Sequence, residues 1–568
     1  MNDPGAARTP LSSAQSQVDL APADWTEAWG AFDADTAWRG FIGDAEPLNA
    51  AVLCCDRHAR DGAVALVSRA RDGSVERLTF AELKTRSERF ARVLADCGVG
   101  PGDRVAGLLP RVPELLVTIL ATWRLGAVYQ PLFTAFGPKA IEHRVVTSGA
   151  RVIVTDHPNR PKLDEVPHTA RIVTLTDGGA ALPPGDLDFH AELARREPGL
   201  PSVPRGPDDP FLIMFTSGTT GLAKPLLVPI RAIMSMAHYV RDAVGLRDDD
   251  TFWNVADPGW AYGLYYAVTG PLALGHATMF HDAPFTVAAT VAAIVEHGVT
   301  NLAGSPTAFR LIMAAGPEAV ARIKAQLRAV SSAGEPLNPE VIRWFAAHLD
   351  VVIHDHYGQT ETGMVLCNHH ALTHPVLQGS AGVSMPGWRV TVIDEAGNDL
   401  PPGVPGELAL DLAASPLMWF TGYDGLPTPA LGTNHYRSGD TAELNPDGSI
   451  SFVGRADDVI TSAGYRIGPF DVESALLEHP TVIEAAVVGK PDPERTEIVK
   501  AFVVLREGEP GTPALAEELR LHVKARLSAH AYPREIEFVE SLPKTPSGKI
   551  QRFVLRLAEA AKVRDAAA

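Results

Sequence analysis

Apolar residues recur along this chain with two different spacings, and the spacings divide it into regions. In "TFAELKTRSERFARVLADCG" Leu83, Phe90 and Leu94 fall at helical spacing, Thr79 and Glu82 stand as a capping box would, and Gly98 closes the run. An amphipathic helix is predicted there. The β-branched runs "RVIVTD" (151–156), "TFWNVA" (251–256) and "VVIHDH" (351–356) are separated by helical stretches. That alternation predicts an α/β body of layered subdomains around mainly parallel sheet. After about residue 385 alternating strands are joined by Gly, Asn, Asp and Pro turns, as in "GWRVTVIDEAGNDLPPGVPGELALD". A small β-rich subdomain is predicted. From "ADDVITSAGYRIGPFDVESALLEHP" onward short strands and helices alternate on a smaller scale, ending in a polar Ala-rich tail. The expected organisation is a flexible tail over 1–24, a large domain over 25–456 and a smaller, mobile α+β domain over 457–568, with a hinge near 457.

Size and charge narrow the function. The chain has 568 residues, more than one core normally serves. Its formal charge of −18, spread along the sequence, argues against nucleic acid or an anionic membrane as a partner. The N-terminus has no apolar run of the length a signal peptide or transmembrane helix needs. Four cysteines without CxxC spacing fit a reducing compartment. The expected location is the cytoplasm. A homo-oligomer is compatible with the sequence, which leaves the oligomeric state open.

Chemistry first surfaces at "TSGTTGLAKP", from Thr216. It is not the GxxxxGK[ST] phosphate loop, because Ala223 stands where that motif has its second Gly and Pro225 follows Lys224. Even so, successive Gly and Thr residues can turn backbone N–H groups and hydroxyls toward an anion. Four more strings follow in order: "YGQTETG" (357–363), "YRSGD" (436–440), "GRADDVITSAGYRIG" (454–468) and "PKTPSGK" (543–549). Together the five resemble the adenylate-forming superfamily, in its AMP-forming acyl-CoA synthetase branch for acetyl and medium-chain acids. The resemblance covers nearly the whole chain, since "LNAAVLCCDRH" and "FTAFGPKAIEHRV" also match that branch.

The resemblance implies a ligase that uses ATP, Mg2+ and coenzyme A. A carboxylate attacks the α-phosphorus of ATP to give an acyl-adenylate and pyrophosphate, and the thiol of coenzyme A then displaces AMP. Thr216, Ser217, Gly218, Thr219, Thr220 and Gly221 would grip the outer phosphates, with Lys224 a less certain participant because Ala223 and Pro225 depart from the family loop. Glu361 would be the magnesium-linked carboxylate, and Thr360 would touch the α-phosphate beside Gln359. Adenine would rest against Tyr357 and Gly334, Glu335 and Pro336. Asp440 would accept the ribose hydroxyls, with Arg455 and Arg466 on ribose or phosphate oxygens. Lys549 would stabilise the charge of the adenylating step. Asp457 would be the hinge that swings the small domain, bringing Gly464 and Tyr465 to the coenzyme A path. Acylation of Lys549 would switch adenylation off, as in related synthetases.

By the same resemblance the acyl pocket is Trp260, Ala261, Tyr262, Ala333 and Gly358. Acetyl-specific relatives carry Trp at the position of Gly358, so this pocket is expected to admit more than acetate, and each extra buried methylene is worth ~0.8 kcal/mol. Amino-acid-activating relatives carry Asp where this chain has Ala261, and the chain ends without a carrier domain. The substrate reading is a short- to medium-chain aliphatic acid, straight or branched. An aryl or hydroxy acid is the alternative that Tyr262 leaves open, and a non-catalytic acyl-nucleotide-binding protein is the alternative outside enzymes. One cluster points elsewhere: His354, His356, Cys367, His369, His370 and His374 crowd a short stretch. Their spacings match no common structural zinc pattern, so packed or pocket-lining histidines are expected.

Overall fold

The residues that signal a helix at 79–98 do so for reasons visible in three dimensions. In the computed structural model the helix runs Phe80–Asp96, the Thr79 hydroxyl accepts from the Glu82 N–H, and the Glu82 carboxylate accepts from the Thr79 N–H. Leu83, Phe90 and Leu94 face the core. The structure describes residues 23–43, 45–60, 62–176, 181–216, 222–455, 457–462, 465–492, 495–527, 531–545 and 549–567, without the side chains of 465, 466 and 564–567.

Among the described residues the large N-terminal domain holds two main sheets. A seven-stranded sheet runs in the order Lys224–Pro229, Pro210–Thr216, Val128–Pro131, Arg104–Leu108, Val152–Asp156, Arg171–Leu175, Leu187–Asp188. It is parallel except for the first pair, where Lys224 lies opposite Thr216. A six-stranded sheet places Phe252–Asn254, Asn301–Gly304, Ala329–Ala333 and Ile353–Gln359 in parallel, followed by antiparallel Gly363–Cys367 and Val383–Ser384. Strands covered on both faces can be buried throughout, as Val152–Asp156 is. The β-rich subdomain is an antiparallel sheet of Val390–Ile393, Gly406–Asp411, His435–Leu444 and Ile450–Arg455.

The small C-terminal domain has its own apolar clusters, drawn entirely from residues 460–555. Its centre is the hairpin Val482–Asp492 with Thr496–Leu505, flanked by the helix Pro469–Leu477. Polar contacts join it to the large domain: Arg343 to Glu478 at 3.0 Å and the Asn338 amide to the Ser474 hydroxyl at 2.9 Å.

The structure refines both chain ends and the placement of Asp440. Ala23 and Asp24, assigned to the tail, pair in parallel with Leu372 and Thr373, and Asp24 caps the helix Trp25–Gly30. The Ala-rich C-terminus is the helix Arg552–Ala567, held by Arg552 on Glu473; Ala favours helix where nothing competes. Asp440 does not end its strand but sits inside His435–Leu444. No helix among the described residues is long and apolar enough to cross a membrane.

Candidate active site

Strand ends and the turns after them converge on one cavity of about 1160 Å3 between the large domain's sheets, the β-rich subdomain and the small domain. Parallel sheets favour this, because their carboxyl ends leave a crevice. The cavity collects Thr216, Lys224, Trp260, Ala261, Tyr262, Ala333, Gly334, Glu335, Pro336, Tyr357, Gly358, Gln359, Thr360, Glu361, Asp440, Arg455, Asp457 and Lys549. Ser217, Gly218, Thr219, Thr220, Gly221 and Gly464 lie outside the described residues, and Tyr465 and Arg466 are described only as backbone of the strand Tyr465–Ile467.

Asp440 is the most constrained of these groups. Its Oδ2 accepts from the Tyr357 hydroxyl at 2.5 Å and from Gln359 Nε2 at 2.9 Å. Its buried Oδ1 has no hydrogen-bond partner among the described residues, and Arg455 Nε is 3.6 Å away. Burial pushes the carboxyl upward, while Tyr357, Arg455, Gln359 and Lys549 pull it back. Gln359 is fixed in turn by Tyr436, whose hydroxyl donates to its Oε1 at 2.6 Å. A buried acceptor with one oxygen occupied and one free suits a ligand that brings a hydroxyl.

Glu361 is also buried, which raises its carboxyl above the usual range. Tyr423 donates to its Oε1 at 2.7 Å. Lys224 Nζ lies 4.9 Å above the Tyr423 ring, and the Asp424 N–H donates to the Pro225 carbonyl. Tyr423 thus ties Glu361 to the strand that leaves the phosphate loop. Lys224, discounted on its neighbours, is drawn into this cluster. The Tyr265 hydroxyl holds the Thr360 carbonyl at 3.2 Å.

Alternation along Ile353–Gln359 puts Asp355 and Tyr357 on one face and His356 and Gly358 on the other. Burial pushes Asp355 up to about 8, and its Oδ1 has no partner among the described residues. Glu335 does not offer its carboxylate to the cavity, because Arg310 and the Thr307 hydroxyl take it at 2.8 and 3.0 Å. Trp260 packs against Phe133 and Phe136 at 5.5 and 5.3 Å between centroids. Gly358 is small for a reason beyond pocket size: a Cβ there would lie 2.1 Å from the Gly363 carbonyl oxygen.

Tyr423, Arg310 and Asp355 were not singled out in the sequence, and His356 was noted only within the histidine-rich stretch. Each gains its place through a partner far away in the chain, so no local pattern marks it. The histidine-rich stretch resolves into packing. His354 and His370 stack at 3.8 Å, and their nitrogens face the carbonyls of Asn368 and Val330. Among the described residues no three ligand-type side chains gather as a metal site.

Comparison with known proteins places this geometry. The model of the AMP-binding enzyme family matches residues 55–418, and that of the AMP-binding enzyme C-terminal domain matches 471–549. The chain is 40% identical over 522 residues to acetyl-coenzyme A synthetase of Bacillus subtilis, covering 90% of each chain. Its structure resembles that of Brucella canis acyl-CoA synthetase with TM-score 0.78 at 60% identity, covering 95% of this chain and 99% of that one. It also resembles a benzoate CoA ligase from Burkholderia xenovorans, with TM-score 0.79 at 30% identity, covering 90% and 100%. The chain belongs to the AMP-binding enzyme family, in its acyl-CoA synthetase branch.

Proposed function

We propose that this AMP-forming acyl-CoA synthetase activates a short- to medium-chain aliphatic acid with ATP and passes the acyl group to coenzyme A, in the cytoplasm. The observation that carries the nucleotide half is Asp440, whose free, buried Oδ1 suits a ribose hydroxyl. Tyr357 and Asp355 share a strand face where a base can lie, and Asp355 Oδ1 is open to its edge. Lys549 is exposed on the cavity wall and close enough to Asp440 to lower its carboxyl, so an ammonium is at hand where a carboxylate meets the α-phosphorus. In the first step the acid's oxygen bonds to the α-phosphorus and pyrophosphate leaves. In the second the thiol sulfur bonds to the acyl carbon, AMP leaves and a proton is released. Asp457, paired with Arg455 at 3.4 Å, is the proposed pivot between them.

The residues fit a magnesium ion. Glu361 is a buried carboxylate with Oε1 held by Tyr423 on the cavity wall, and hard cations take oxygen ligands. When bound, the ion would neutralise phosphate charge; Glu361 would hold it, and Tyr423 would hold Glu361.

The proposed acyl side is walled by the small residues Ala261, Ala333 and Gly358, which favours an acid longer than acetate. Acid-dependent pyrophosphate release, followed by coenzyme A-dependent AMP release, across C2 to C10 acids tests the proposal. Rates peaking above C2 are expected; a peak at acetate overturns the chain-length reading. Acylation of the exposed Lys549 would remove the ammonium, and mass spectrometry finding it always unmodified in cells would exclude that control.

A further inference from the structure

The acyl wall carries a chain of hydrogen bonds that the two-step chemistry does not use. His356 lines the cavity and is buried. Its Nε2 lies 3.1 Å from the Asn368 carbonyl, which can only accept, so the ring proton sits on Nε2. Burial disfavours a second proton on the ring, leaving Nδ1 bare. The Tyr239 hydroxyl, 2.7 Å from Nδ1, is therefore the donor. A phenol has one proton, so the Tyr239 oxygen has only lone pairs left to offer. A hydrogen bond between it and Tyr262, 3.4 Å away, can therefore run only from the Tyr262 hydroxyl to the Tyr239 oxygen.

The order of donation runs from Tyr262 to Tyr239, to His356, to Asn368. Its free end is the Tyr262 oxygen, and Tyr262 is part of the cavity wall. That oxygen presents lone pairs and no proton. Its neighbours on the acyl wall, Ala261, Ala333 and Gly358, supply no donor side chain. A plain alkyl chain would leave this acceptor unpaired once water is displaced.

We propose that the preferred acid bears a hydroxyl on its chain, and that Tyr262 selects it by accepting a hydrogen bond from that hydroxyl. This rests on the acyl-CoA synthetase reading and names its substrate class. The 3.4 Å link is long, which leaves the Tyr262 oxygen room to shift toward substrate. A site built to pair a substrate hydroxyl discriminates against analogues lacking it.

The test compares kcat/KM for coenzyme A-dependent AMP release by the full-length enzyme. The substrates are matched C4 to C8 acids: the parent, its mono-hydroxylated forms and the corresponding keto acids. At least one hydroxy acid should exceed its parent by about tenfold, a ratio expected of one hydrogen bond, with the keto form below the parent. In Tyr262→Phe the hydroxy-to-parent ratio should fall to about one. In Tyr239→Phe the Tyr262 proton is freed toward the cavity, so the keto-to-parent ratio should rise. Loss of folding lowers all substrates together and cannot produce these opposite changes in ratio. Hydroxy acids that never exceed their parents in the wild type, or an active Tyr262→Phe enzyme with an unchanged ratio, overturn the inference while leaving the ligase reading intact. Failure of every acid, hydroxylated or not, to support AMP release overturns both.

Discussion

At the scale of single residues, the reactive groups of this enzyme are held by side chains that carry no motif of their own. Tyr423 is the clearest case, since its hydroxyl is the donor on Glu361 Oε1. A hydrogen bond to a charged group is worth roughly 1.5–3 kcal/mol, so Tyr423→Phe should lower kcat/KM for ATP at least about tenfold. The Mg2+ concentration for half-maximal ATP binding, read by calorimetry, should rise with it. An unchanged Mg2+ dependence would assign Tyr423 to packing alone. Gly358 gives a second prediction. In the sequence it reads as the absence of an acetyl-specific Trp, but its Cβ direction is filled by the backbone of the strand Gly363–Cys367. Gly358→Trp should therefore displace the turn that carries Glu361 and depress activity on every acid. A clean switch to acetate would show that the strand pair yields instead.

At the scale of elements, the strand Ile353–Gln359 brings Asp355, His356, Tyr357, Gly358 and Gln359 to the cavity wall. Elements elsewhere in the large domain were legible from periodicity: the capping box at Thr79 and Glu82 and the run 151–156 appear where the pattern places them. What periodicity did not show is that the histidines of this strand and the next are buried and uncharged. Burial holds His354 down to about 4 and His369 to about 3. Because the folded state refuses a proton that the unfolded chain accepts below about 6.5, their stabilising contribution is full above that pH and is lost as the pH falls toward 4. The urea midpoint should therefore drop between pH 7 and pH 5, by an upper bound of about 2 kcal/mol for each ring at pH 5. A midpoint that is flat over this window would show that these rings protonate without cost.

At the scale of the whole molecule, Lys549 meets the nucleotide site only because the small domain is docked as it is, by contacts as slight as Arg343 with Glu478 and Asn338 with Ser474. Polar interfaces of this kind permit domains to move. In the proposed cycle Lys549 serves the first pose alone, so Lys549→Ala should slow acyl-adenylate formation by about 10² to 10³, the cost of one oxyanion donor. The same variant should convert preformed acyl-adenylate and coenzyme A nearly normally, as single-turnover measurement of each half-reaction would read. Equal loss of both would remove the two-pose scheme. By itself the sequence determined the α/β body and the β-rich subdomain, because these depend on periodicity and on residues adjacent in the chain, and its five strings carried the resemblance to the adenylate-forming superfamily. Only the tertiary structure decided that Tyr423 holds Glu361, that Arg310 and Thr307 hold the Glu335 carboxylate, and that Tyr262 heads a line of hydrogen bonds running through Tyr239 and His356 to Asn368. Hydrogen bonds and burial are made between residues up to 117 positions apart in that line, as Tyr239 and His356 are, and no local spacing encodes which of them will meet.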